Sequence, residues 1–182
     1  MNFIILDESI CLFSKHPEDE LTVLARKVGM ALIREKMKVA LAESCTGGLV
    51  AKTLTDVPGS SNFFELGMVT YSDRIKEEIL GVHKETVDRY SVVSAEVAAE
   101  MAQRIRTVAG SELGIGITGV AGPGPDGGHP EGEIYIAVSD GESCAVLKLM
   151  THTDDGARDF NRSLAALNAL GLIDLYLEDK LF

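Results

Sequence analysis

"LAESCTGGLVAKTLTDVPGS", residues 41–60, is the stretch on which the fold turns. An apolar run ends at Ser44, two glycines follow, and a helical apolar pattern begins behind them until Pro58-Gly59 stops it. A buried strand that turns sharply into a helix is the repeating unit of an α/β sheet. Ser44 stands between Glu43 and Cys45 at the head of that strand. Two readings compete for it: a serine that merely caps the helix, and a nucleophile or anion cradle beside free backbone N–H groups.

Outward from this stretch the same alternation continues. Leu21, Leu24, Ala25, Val28 and Leu32 recur at helical spacing and predict a helix over 20–36. The strand itself, 38–44, is apolar enough to be buried on both faces. The helix behind it runs from Thr46 to about Thr55. A second strand is predicted over 66–72, then a short helix that Ser72 caps and Gly81 ends, and a longer one from Ser94 to about Val108. A third strand over 113–118 leads into the Gly- and Pro-rich stretch 119–132. Residues 133–140 and 143–151 flank Gly141-Glu142 as an antiparallel hairpin, and a last helix spans about Asp155 to Leu177. These elements predict a three-layer α/β/α sandwich with a mixed, mostly parallel sheet. With no internal repeat and no linker, residues 1–19 read as a lead-in and 20–182 as one domain.

Bulk properties bound the function. The chain of 182 residues is 46% hydrophobic, and no apolar run reaches the length of a bilayer span. Its first residues carry acids and lack the basic region of a secretory signal. A formal net charge of −11 argues against a general binder of nucleic acid or membrane surfaces, so an anionic substrate needs a local positive site. Three scattered cysteines, Cys11, Cys45 and Cys144, suit reduced thiols in a cytoplasm. His16, His83, His129 and His152 show no ligand spacing, so no metal is expected.

In open α/β sheets ligands bind beyond the carboxyl ends of the strands. Three segments leave predicted strands with unusual chemistry: Ser44-Cys45-Thr46-Gly47-Gly48, Tyr71-Ser72 with Lys76 behind, and Thr118-Gly119-Val120-Ala121-Gly122-Pro123. Parallel neighbouring strands would bring them to one edge. Ser44 sits in neither a P-loop nor a Gly-x-Ser-x-Gly elbow. Cys45 is intrinsically the better nucleophile, but no histidine is placed to activate it, and a packing thiol is the plainer reading. Lys76 can serve as the base of a serine if desolvation and the start of its short helix lower its pKa; otherwise it is a solvated surface charge. Tyr71 can relay a proton or hold the lysine. Thr118 can donate its hydroxyl, with glycines that leave room for a ligand, or the stretch is only a flexible connection.

Together the segments "AESCTGG", "DVPGSSNFFELGMVTYSDRIK", "GV…ETV…VVS" and "TGVAGPGPDGG" resemble the CinA C-terminal family, the nicotinamide-nucleotide amidases. The resemblance covers roughly residues 20–175 and implies hydrolysis of the carboxamide of nicotinamide mononucleotide (NMN) to nicotinate mononucleotide and ammonia. It implies Ser44 as nucleophile, Lys76 as its base partner and Tyr71 as a supporting proton-transfer residue. It places substrate around Cys45, Thr46, Gly47, Thr118, Gly119, Ala121 and Gly122, with Arg158 and Arg162 as candidates for the phosphate. No cofactor or metal is implied. The expected partners are the small nucleotide and further copies of the chain, with no nucleic acid and no membrane. The chain departs from the family at Pro130-Glu131-Gly132, where Pro-Val-Gly is common, and it reads as a stand-alone form without the fused N-terminal domain. Two alternatives stay open: a non-catalytic nucleotide-binding or regulatory module of the same fold, and a serine amidase for another small amide.

Overall fold

The structure, a computed structural model, describes residues 3–151 and 158–182. Its centre is a six-stranded sheet: β1 (Ile4–Ile5), β2 (Val39–Glu43), β3 (Phe64–Val69), β4 (Leu113–Gly119), β5 (Glu133–Ser139) and β6 (Cys144–Met150), in the order β1-β6-β5-β4-β2-β3. β2 pairs in parallel with both β3 and β4, and β1 with β6; β5 is antiparallel to both of its neighbours. The expected mixed, mostly parallel sandwich is present. Every residue of β2 is buried, whereas β3 at the edge alternates half-buried and exposed side chains.

Helices α1 (Pro17–Glu35), α2 (Leu49–Thr55) and α6 (Arg158–Leu177) cover one face around Phe63, Leu41, Ile115 and Leu170. The other face carries α5 (Ala95–Ala109), with α3 (Asp73–Ile75) and α4 (Lys84–Tyr90) beside it. α5 lies directly on β4 because β4 has glycines there. A Cβ on Gly114 would stand 2.0 Å from the Ala102 carbonyl oxygen, and one on Gly116 2.2 Å from that of Ala98. Small residues on both sides bring helix and strand backbones together.

Several boundaries move from their sequence positions. α1 begins at Pro17, since proline suits the first helical turn and Glu18, Asp19 and Glu20 follow it there. The stretch expected as a lead-in contributes β1 to the sheet edge. The second strand ends at Val69, and the α2 helix starts at Leu49, behind a turn in which Gly47 and Gly48 have φ of 62° and 90°. The short helix after Ser72 is one α-turn followed by a π-helical turn over Lys76–Leu80, with Ser72 capping and Gly81 ending it as expected. α4 has no counterpart among the expected elements; it buries no residue and has no side-chain cap, so neither periodicity nor capping announces it. The expected start of the last helix, near Asp155, and His152 lie outside the described residues. No described helix is long and apolar enough to cross a membrane.

Candidate active site

The turns after β2, β3 and β4 meet at the carboxyl edge of the parallel strands. They enclose a cavity of about 350 Å³ lined by Ser44, Cys45, Tyr71, Lys76, Thr118 and the 119–126 loop, with Val92 and Val93 as a further wall. A larger depression of about 660 Å³ at the opposite end of the sheet, around Arg106, Ser111 and Asp140, has no lysine or histidine in its lining. Chemistry therefore favours the smaller cavity over the roomier one.

Ser44 does not cap α2. Glu43, buried at the last position of β2, does so instead. Its carboxylate accepts from the N–H groups of Gly48 (3.0 Å), Val50 (3.2 Å) and Ala51 (2.8 Å). The anion that the helix start attracts is thus already supplied by the protein. Ser44 is left to face Lys76, whose Nζ lies 3.2 Å from Ser44 Oγ. Lys76 is 2% exposed, and its Nζ also donates to the Tyr71 carbonyl at 3.4 Å. Burial pulls its pKa below that of an exposed lysine, against the opposing pull of Asp73, whose carboxylate is 4.0 Å away, and of Cys45. The π-helical turn that begins at Lys76 belongs to a kind of irregularity that recurs at functional sites. Cys45 is buried, and that burial pushes its thiol up to about 12, so it remains a protonated packing group at the cavity wall.

The other expected site residues divide. The Tyr71 hydroxyl accepts from Arg158 at 3.1 Å; only its backbone carbonyl touches Lys76. Thr118 donates its hydroxyl to the Val92 carbonyl at 2.7 Å, so its proton is committed and the oxygen can only accept further. Gly119, Ala121 and Gly122 line the cavity, as does Arg158, which also donates to the Gly122 carbonyl. Thr46, Gly47 and Arg162 do not line it. Thr46 is fully buried, and Arg162 donates to its carbonyl at 2.9 Å while pairing with Asp159, so that guanidinium braces the turn behind Ser44. Glu131, the departure from the family pattern, accepts from the Gly124 N–H at 2.6 Å and so fastens the glycine-rich loop to itself. The sequence reading missed Glu43, the valine wall and Asp73. Only the acidic residue immediately before the Ser-Cys-Thr-Gly-Gly turn hinted at the first.

Among the described residues, the one grouping with metal-ligand spacing is His16, Glu18 and Asp19, exposed at the start of α1 and sharing nothing with the cavity.

The chain is similar to known proteins in sequence and in fold. A sequence profile for the CinA C-terminal domain matches residues 21–177. A protein of Caldanaerobacter subterraneus subsp. tengcongensis, named as competence-damage inducible, is 43% identical over 180 residues, covering 97% of this chain and 41% of that protein. A CinA-like protein of Geobacter sulfurreducens is 47% identical over 143 residues, 76% of this chain and 33% of its own length. The chain thus spans 33% to 41% of the length of these relatives. A competence-damaged protein (CinA) superfamily protein of Escherichia coli superposes with a TM-score of 0.83 at 32% identity, covering 91% of this chain and 95% of that one.

Proposed function

The chain belongs to the CinA C-terminal domain family, and from that membership together with the Ser44–Lys76 pair we propose that it is a serine–lysine amidase acting on the carboxamide of NMN. The observation that carries the reading is a buried lysine with a lowered pKa, 3.2 Å from a serine oxygen at a strand end, inside a cavity. A primary amide needs a strong nucleophile, a place for the oxyanion and a proton for departing ammonia. Neutral Lys76 takes the Ser44 proton as Oγ attacks the carbonyl carbon, then returns it to the leaving nitrogen. Water, deprotonated by the same amine, hydrolyses the acyl-enzyme to nicotinate mononucleotide. The N–H groups of Cys45 and Thr46, next to Ser44, hydrogen-bond the Cys45 sulfur, a weak acceptor that an oxyanion would displace, and serve as its donors in this reading.

In this reading Arg158 binds the phosphate. Among the described residues it is, besides Lys76, the one cation lining the cavity, and it stands against Asp73 and Asp126 on the same lining as the group able to make charge-assisted hydrogen bonds to a phosphate. Tyr71 supports it by holding the guanidinium. The test is ammonia release from NMN. Ser44→Ala should abolish turnover while leaving the fold and NMN binding in place, and Cys45→Ala should retain most of the activity. Normal turnover by Ser44→Ala would remove the serine mechanism; a dead Cys45→Ala would move the nucleophile one residue along. Turnover of another small amide with none of NMN would keep the mechanism and change the substrate.

A further inference from the structure

A second serine is set up for nucleophilic chemistry outside this cavity. Ser91, the residue that ends α4, has φ 72° and ψ 155°, a backbone conformation that a residue with a side chain adopts only when its surroundings force it. Its Oγ lies 2.9 Å from His129 Nε2. The other ring nitrogen, Nδ1, lies 2.8 Å from Glu133 Oε2. Glu133 is held in its turn: Lys148 Nζ is 2.7 Å from its Oε1, and the Tyr135 hydroxyl donates to the same oxygen at 3.1 Å. The imidazole and the carboxylate are largely covered, with 20% and 10% of their side chains exposed.

The partners fix the tautomer. A carboxylate on Nδ1 requires the proton there, which leaves the Nε2 lone pair facing the Ser91 hydroxyl. Burial pushes the Glu133 carboxyl up, but hydrogen bonds from Lys148, His129 and Tyr135 outweigh it and keep the carboxyl below its usual range. The backbone N–H of Val92, directly after Ser91, has no partner among the described residues and can receive an oxyanion. None of Ser91, His129 and Glu133 lines the Ser44 cavity.

We propose that Ser91 is a second nucleophile of this protein, with His129 as its general base and Glu133 orienting the imidazole, and that it accepts acyl groups from small carboxylic esters. Ser91 Oγ bonds to the ester carbonyl carbon while its proton passes to Nε2. The carbon–oxygen bond to the alcohol then breaks, and the alcohol leaves with the Nε2 proton. Water, giving a proton to Nε2, attacks the acyl-serine; the acid departs and the proton returns to Ser91. Esters rather than amides fit this position. An alkoxide leaves more readily than an amine, so an ester needs less binding energy spent on its cleavage than an amide.

The experiment uses the full chain carrying Ser44→Ala, so that the proposed amidase nucleophile contributes nothing. A fluorophosphonate probe, which labels activated serines, should modify the peptide containing Ser91, as read by mass spectrometry. The same variant should hydrolyse p-nitrophenyl acetate above the rate of buffer. Adding His129→Gln should lower both signals on the order of 10²-fold, the usual scale for a positioned general base. Adding Ser91→Ala, which removes one oxygen, should abolish both whether or not the His129 variant folds. Absence of label on Ser91 overturns the proposal, and so does ester hydrolysis that survives Ser91→Ala; a purely structural clasp between the 91–94 segment and the glycine-rich loop would give the first of these results.

Discussion

At the scale of single residues, Lys76 carries opposite obligations to function and to stability. A buried ammonium opposes folding, because the unfolded chain solvates it freely. Since its folded pKa lies below 10.5, the opposition is full at pH values beneath the folded pKa. It fades as pH rises from there toward 10.5, where the unfolded chain loses the proton too. Lys76→Met should therefore raise the melting temperature at neutral pH, and the gain should shrink in alkaline buffer. The same variant should lose on the order of 10²–10⁴ in kcat, and wild-type activity should climb with pH as the amine deprotonates. Melting curves at two pH values beside an ammonia assay check both halves. Arg158 makes a second case. If it reads the phosphate, Arg158→Ala should lower kcat/KM for NMN more than for nicotinamide riboside, which lacks that group. Equal losses on the two substrates would mean that it only supports the loop through Gly122 and Tyr71.

At the scale of elements, the strand–turn–helix unit β2–α2 is organised by Glu43. α2 has seven residues and an N-cap glycine, so it lacks the side-chain cap that a short helix needs. The buried Glu43 carboxylate supplies it from the preceding strand through three backbone N–H groups. Glu43→Ala orphans those donors, at about 1–3 kcal/mol for each one that water cannot reach. The expected outcome is a marked fall in melting temperature, and Glu43→Gln, which keeps one acceptor oxygen, should recover part of it. Activity should fall with the cap, because the same turn holds Ser44.

At the scale of the whole molecule, the N-terminal segment closes the sheet. β1 covers the outer edge of β6, and Leu12 pairs with the side chain of the buried Asn168 on α6, donating to Oδ1 at 2.8 Å and accepting from Nδ2 at 3.0 Å. Removing residues 1–16 would leave the Asn168 Oδ1 without its donor, while Nδ2 keeps the Leu164 carbonyl at 2.9 Å, and would expose the edge of β6. The shortened chain should melt at a lower temperature and self-associate, read by thermal denaturation and light scattering. Its Ser44 pocket, at the other end of the order of strands, should still release ammonia at low temperature.

The sequence by itself determined the alternation of strands and helices, the parallel strands with their C-terminal hairpin, and the three segments that carry the chemistry, because apolar periodicity and the residues that stop or cap an element are local signals. Ser44, Lys76 and Thr118 were legible as chemistry, and the family resemblance ordered them. Only the tertiary structure decided which partner each group meets. Glu43 takes the helix start that Ser44 was a candidate to cap; the Tyr71 phenol goes to Arg158 and its carbonyl to Lys76; Arg162 turns to the Thr46 carbonyl and away from the cavity. Ser91, His129 and Glu133 look unrelated along the chain, yet they stand in hydrogen-bonding line. Contacts between residues far apart in sequence depend on how strands register and on which face each side chain leaves, and burial, which sets the state of Lys76 and Cys45, exists only once the sheet and its helices have closed over them.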